Sequence, residues 1–306
     1  MSRLIDLFRS KHWRELRALK KKKQFGMTSL GEQHWLRTYA ARRYRGDGAI
    51  VDLGCFLGAT TIALAQGLAL NPKAKRKRID AYDLFLWNEV FEKWSKGREV
   101  EGAFTVGGSF LPEFLKRTEP WRDYIVVHQE DLSQTRWDDG PIEFLFVDAM
   151  KSPATATAIA STFFPFLIPG RSYLAHQDFP HAYTPWVHFL AWRLRHHFRW
   201  VAEMPQSSLF RLEKEIEPEL LSKSLEPRAM APDEIEAAFD YSLSFVSDDK
   251  KANVIAAKAM AYVGRREFNR ADEIMGDSRY GSASRANQFN EVKALIEEKL
   301  GLPTKN

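Results

Sequence analysis

The chain has 306 residues, 44% hydrophobic and 28% charged, with a net charge of +5, which suits one ordinary globular domain plus a modest addition. A single cysteine, Cys55, excludes an intramolecular disulfide, and no cluster of Cys with His suggests a zinc site. No apolar run reaches membrane-spanning length.

The N-terminus, "MSRLIDLFRSKHWRELRALKKKKQ", lacks the apolar core and cleavage site of a signal peptide, so a cytoplasmic setting is expected. Leu4, Ile5, Leu7 and Phe8 lie beside Arg3, Arg9 and Lys11. This predicts a helix that docks on its own domain, with peripheral contact to the inner face of a membrane as the alternative. Residues 1–45 form an N-terminal helical region in this reading, and "GEQHWLRTYAARRY" places Trp35, Leu36, Tyr39 and Ala40 on one helical stripe. Strands are expected at "AIVDLG", "RIDAYD", "YIVVHQEDL", "IEFLFVDAM" and "SYLAHQDF", with a helix at "ATTIALAQGLAL" and others at Pro153 to Phe164 and Trp186 to His197. Leu84 to Trp121 reads as a helix with a long loop that could cover a site. "RWVAEM" and "SSLFRL" are close enough for an antiparallel pair.

Alternating strands and helices predict an α/β fold. It is Rossmann-like and doubly wound, a mostly parallel seven-stranded sheet with one antiparallel edge strand, over residues 46–213. Residues 214–306 read as an all-helical appendage, and Ala257 to Met275 is similar to one tetratricopeptide-type hairpin. Packing or dimerisation is its expected role. Basic stretches at "RALKKKKQ", "KAKRKR" and "RLRHH" read either as solvated faces or as contacts for RNA phosphates, anionic lipid or an acidic glycan.

The stretch "IVDLGCFLGATT" is a buried strand, an acid, a tight turn and a helix start. A dinucleotide fingerprint needs a glycine at position 56, so that a pyrophosphate can approach the backbone; the residue there is Phe56. A ligand with an ammonium and a carboxylate suits the turn better, its carboxylate at the turn amides and the helix N-terminus. "VDLGCFLGATT" resembles motif I of class I S-adenosylmethionine-dependent methyltransferases, and the resemblance continues in order through "AYDLF", "HQEDL" and "VDAMKS" over Gly31 to Leu212. It implies S-adenosylmethionine as cofactor, held by Asp52, Gly54, Cys55, Phe56, Gly58, Thr60 and Thr61. Asp83 would meet the ribose, Glu130 or Asp131 the adenine, and Asp148 the methyl end.

"AHQDFPHAYTPWVH" is similar to the region where macrocin- and cephalosporin-tailoring O-methyltransferases place acidic metal ligands and a base. The matching set here is Asp148, Gln177 and Asp178, with an amide where the relatives carry an acid; Mg²⁺ dependence is left open. Lys151, His176, Asp178 and His181 are candidates to assist deprotonation of an acceptor hydroxyl near Asp148, and His181 is the first choice as base. His188, His196 and His197 are read as structural. The whole pattern also resembles bacterial methyltransferases of surface-polysaccharide biosynthesis, which implies O-methylation of a sugar, glycan or glycosylated small molecule. An RNA methyltransferase is opposed by the missing N/D-P-P-Y/F motif. A third reading is a non-catalytic module that docks a glycan-assembly partner, and a nicotinamide dehydrogenase is the weakest.

Overall fold

The computed structural model describes residues 18–19, 21–276 and 287–301. The expected helix around Leu4 to Phe8 lies outside these residues. Among the described residues, no helix is long and apolar enough to cross a membrane. One mixed seven-stranded sheet has the strand order β3-β2-β1-β4-β5-β7-β6. The chain divides into two compact units, one up to Leu145 and one from Phe146.

In the first unit, helix α1 (Leu30–Arg42) starts at Ser29, whose hydroxyl accepts from the Glu32 amide at 3.2 Å. Strand β1 (Ala49–Leu53) is buried along its whole length, and helix α2 (Ala59–Ala69) follows. These two helices pack so closely that a Cβ on Gly67 would lie 2.4 Å from the Arg37 carbonyl oxygen. Arg37 is itself fully buried and donates to Gln66 at 2.5 Å and to the Lys22 carbonyl at 2.7 Å. Strand β2 (Ile79–Asp83) pairs in parallel with β1 and with the edge strand β3 (Ile125–Gln129).

Between β2 and β3 the chain forms helices α3 (Glu89–Ser95) and α4 (Leu111–Thr118). They enclose an aromatic cluster whose buried members include Phe85, Trp87, Phe110 and Phe114. The expected long loop is therefore a packed cap with its own core, because its aromatics bury against one another.

Strand β4 (Ile142–Val147), buried throughout, carries the chain into the second unit. There Ser152 caps helix α5 (Pro153–Phe163), and strand β5 (Tyr173–His176) and helix α6 (Pro185–Arg193) follow. Strands β6 (Phe198–Glu203) and β7 (Ser208–Leu212) form a hairpin, and β7 runs antiparallel to both β5 and β6. The antiparallel strand thus stands one place in from the edge, and β6 is the edge. A tight turn, in which the Met204 amide donates to the Ser207 carbonyl at 2.8 Å, returns the chain into the gap beside β5.

Past Glu213 the structure is helical, with α7 (Pro218–Ser222), α8 (Pro232–Leu243), α9 (Asp248–Gly264), α10 (Phe268–Gly276) and α11 (Asn287–Leu300). Alanines 252, 256, 257, 259 and 261 are buried on α9, which lets α10 and α11 approach it closely.

Candidate functional site

The first unit carries the glycine turn. Gly54, Phe56 and Gly58 all have positive φ, at 81°, 46° and 86°. The turn is tied to β2 because the amides of Gly54 and Cys55 both donate to the Tyr82 carbonyl, at 2.9 and 3.2 Å. Asp83, at the end of β2, accepts from the Phe56 amide at 2.9 Å and from the Phe85 amide at 2.8 Å. One carboxylate therefore clamps both the turn and the start of the aromatic cap, and burial pushes its pKa up.

Phe56 meets this geometry at a cost, since a residue other than glycine is strained at positive φ. Its ring packs on Phe91 at 4.5 Å and on Trp94 and Phe110 at 5.4 Å. The side chain at the middle of the turn is thus a bolt into the cap. Gly58 is required twice: by its φ, and by Thr118 and Phe114, which a Cβ would meet at 3.1 and 3.3 Å.

Asp52 is fully buried and accepts from the hydroxyls of Thr60 at 2.8 Å and Thr61 at 2.6 Å. Both bonds fall on Oδ2, and Oδ1 has no hydrogen-bond partner. Burial raises its pKa to about 6 against the opposing effect of the two hydroxyls. Helix α2 has Gly58 at its N-cap and no side-chain cap, so its first amides are suited to an anion. An orphaned carboxylate oxygen and uncapped helix amides fit the ammonium and carboxylate of an amino-acid group.

The remaining cofactor candidates behave differently. Cys55 is buried, and burial followed by Asp83 and Asp52 pushes its thiol well up, which leaves it unreactive. Glu130 accepts from Thr135 at 3.0 Å and is exposed, and its amide donates to the Asp83 carbonyl at 3.1 Å. Asp131 is also exposed and accepts from the Ser133 amide at 2.9 Å, as a turn cap does.

The second unit brings together Asp148, Lys151, Asp178 and His181. The Lys151 ammonium donates to Asp148 Oδ1 at 2.6 Å and also to Asp178 Oδ1. Asp178 is only 2% exposed, and its Oδ2 accepts from the Met150 amide at 3.1 Å. Burial lowers the lysine pKa, but the two carboxylates outweigh it and hold the ammonium above the ordinary value. His181 is half-buried, and its Nδ1 accepts from the Tyr183 amide at 3.3 Å. Burial, then the nearby Lys151 charge, pulls its pKa below 6.5.

His176 does not join this cluster by a hydrogen bond. It is 3% exposed, and burial takes its pKa down to about 4. Neither ring nitrogen has a partner, and the side chain lines a cavity of ≈ 20 Å³ with Phe164, Leu174, Phe179 and Phe210. Gln177 is half-buried with an unpartnered Oε1, and its amide donates to the Val147 carbonyl at 2.9 Å.

The expected metal set is Asp148, Gln177 and Asp178, with Mg²⁺ left open. Its two carboxylates already share one ammonium, and a divalent ion on the same oxygens would meet that positive charge, so the arrangement does not fit Mg²⁺. Among the described residues, no three His, Cys, Asp or Glu side chains are grouped to hold a metal.

The sequence did not reveal that α11 reaches the His181 loop. Gln288 accepts from the Ala182 amide at 3.0 Å, and the Tyr183 hydroxyl donates to Glu291 at 3.2 Å. His188 is buried and bonded to Ser242 at 2.9 Å, in keeping with a structural role. Part of the second and third basic stretches is committed to the fold, while the first lies partly outside the described residues. Lys75 pairs with Asp47 and Arg78 with Asp80 and Asp139, while Arg193 donates to two carbonyls of the chain after α7.

No family model matches the chain, and no curated protein matches it. Among solved structures it is similar to CalS11, a calicheamicin methyltransferase, at 15% identity over 66% of this chain and 91% of that one, with a TM-score of 0.41. It is also similar to phosphoethanolamine N-methyltransferase 1 of Haemonchus contortus, whose structure holds phosphoethanolamine and S-adenosylhomocysteine. That match has 12% identity over 71% of this chain and 52% of that one, with a TM-score of 0.40. A third is StiE O-MT, at 15% identity over 89% of this chain and 81% of that one, with a TM-score of 0.32.

Proposed function

We propose that the chain is an S-adenosylmethionine-dependent O-methyltransferase whose acceptor is a hydroxyl of a sugar, glycan or glycosylated small molecule. Residues 46–213 form its catalytic fold, and 214–306 its helical support. The observation that carries the cofactor reading is Asp52, a buried carboxylate with one oxygen held by Thr60 and Thr61 and the other unpartnered, beneath the uncapped start of α2. The motif resemblance, not the geometry, supplies the sugar.

In this reading Asp52, the turn from Gly54 to Gly58 and Asp83 hold the cofactor. When bound, that cofactor would supply a methyl group for in-line transfer to a hydroxyl oxygen, so the protein's own task is alignment and removal of one proton. His181 is neutral at pH 7, because its pKa is depressed, and takes that proton. Lys151 fixes Asp148 and Asp178, which orient the acceptor hydroxyl.

Calorimetric titration with S-adenosylhomocysteine, run beside NAD, tests the reading. Micromolar binding of the former alone is expected, and Asp83→Ala should weaken it by about tenfold or more, since one polar anchor is worth 1–3 kcal/mol. Absence of binding to the wild-type chain would refute the enzyme as described. RNA binding with a steep salt dependence would favour the RNA reading.

A further inference from the structure

We propose that Lys151 is the resident cation of the acceptor side, standing where a divalent metal would stand, so that Asp148 and Asp178 are served by an ammonium and the chain works without Mg²⁺. The inference rests on the methyltransferase reading for its use in turnover, but its geometry and its test stand apart from it.

Three observations carry it. The first is saturation. Asp178 has one oxygen on the Met150 amide and the other on Lys151, and the same ammonium lies 2.6 Å from Asp148. Mg²⁺ would need those carboxylate oxygens together with several waters at octahedral positions. The second is rigidity. Lys151 sits in the turn that starts α5, with its amide donating to the Ala149 carbonyl at 2.9 Å and the next residue, Ser152, capping the helix. The backbone at Lys151 is therefore fixed, and a lysine that swung away would leave the Asp178 charge buried and unpaired.

The third is the donor set. Its third member is Gln177, whose amide oxygen adds no charge. Two carboxylates and one ammonium leave a net charge of about −1, weak for a hard divalent ion and sufficient for a fixed monovalent one. The lysine keeps 58% of its side-chain surface while its tip reaches a carboxylate that is 2% exposed. An acceptor can therefore approach along the lysine stem and find both carboxylates already oriented.

The test is titration of Mn²⁺, read by loss of the free-ion electron paramagnetic resonance signal. It uses the wild-type chain, Lys151→Ala, Lys151→Arg and Asp148→Asn, with S-adenosylhomocysteine calorimetry on each. The wild type and Lys151→Arg should leave Mn²⁺ free up to about 1 mM, while Lys151→Ala should take up about one ion per chain at least tenfold more tightly. Wild-type uptake below about 100 μM that Asp148→Asn abolishes would overturn the proposal. So would a folded Lys151→Ala chain that binds no better than wild type. Should Lys151→Ala not fold, Lys151→Arg decides: Mn²⁺ left free supports the proposal, and uptake overturns it. Failure of S-adenosylhomocysteine to bind, with the Mn²⁺ pattern intact, would remove the methyltransferase reading and leave the lysine assignment standing.

Discussion

Asp52 has a pKa of about 6 in the fold against an ordinary value near 3.8, with burial as the main cause. A raised folded-state pKa means that the native state binds the proton more readily. The associated stability is full below the unfolded value and is lost as pH rises through about 6. We expect wild-type stability, measured by urea unfolding relative to Asp52→Asn, to fall by on the order of 3 kcal/mol between pH 4 and pH 7. A bound ammonium should recover part of that loss, so S-adenosylhomocysteine should raise the melting temperature of the wild type more than that of the variant.

His181 moves in the other direction. Burial and Lys151 lower its pKa, while Asp178 and Glu291 oppose them. The acid limb of the rate profile should lie below pH 6.5, and Lys151→Gln should move it upward because one of the two lowering influences is removed. His181→Gln should reduce kcat by about 10²-fold or more with cofactor affinity kept, as expected when a general base is lost.

At the scale of elements, the sheet was legible because β1 and β4 are short, mostly apolar runs broken only by Asp52 and Glu143, and because Asp83 ends β2. The cap from Leu84 to Thr118 was not legible. Its aromatics follow neither a helical nor an alternating period, since they face one another across two short helices and a turn. The position of β7 inside the sheet was likewise hidden, because hairpin patterning does not say which strand docks on β5. Phe110→Ala should destabilise the chain by about 3–5 kcal/mol, as for other buried phenylalanines. Phe56→Ala should cost less, because Phe56 is half-buried, yet it should weaken cofactor binding by freeing the turn. Comparing unfolding free energies with calorimetric affinities for the two variants checks that contrast.

For the molecule as a whole, the cofactor residues were readable from a local motif, whereas the support of the acceptor loop was not. Gln288 meets Ala182 across 106 residues of sequence, a separation that leaves no periodic trace. The helical appendage, read from sequence as a packing or dimerisation element, therefore also holds the loop that carries His181. The double variant Gln288→Ala with Glu291→Ala should lower kcat several-fold while leaving the affinity for S-adenosylhomocysteine unchanged, about what the loss of two hydrogen bonds to a loop permits. Equal losses in both quantities would mean that α11 only stabilises the fold.

The contact between α11 and the His181 loop also has a consequence in time. During synthesis the loop leaves the ribosome long before Gln288, which is translated 106 residues later, so the acceptor side is completed only once α11 has been made. The hydrogen bonds that close the glycine turn reach only to Tyr82 and Asp83, at most 31 residues beyond Asp52, and its aromatic bolt only to Phe110. A nascent chain can thus form the hydrogen bonds of its cofactor turn before it acquires its His181 geometry. Ribosome-stalled chains ending before and after α11 would show that order directly.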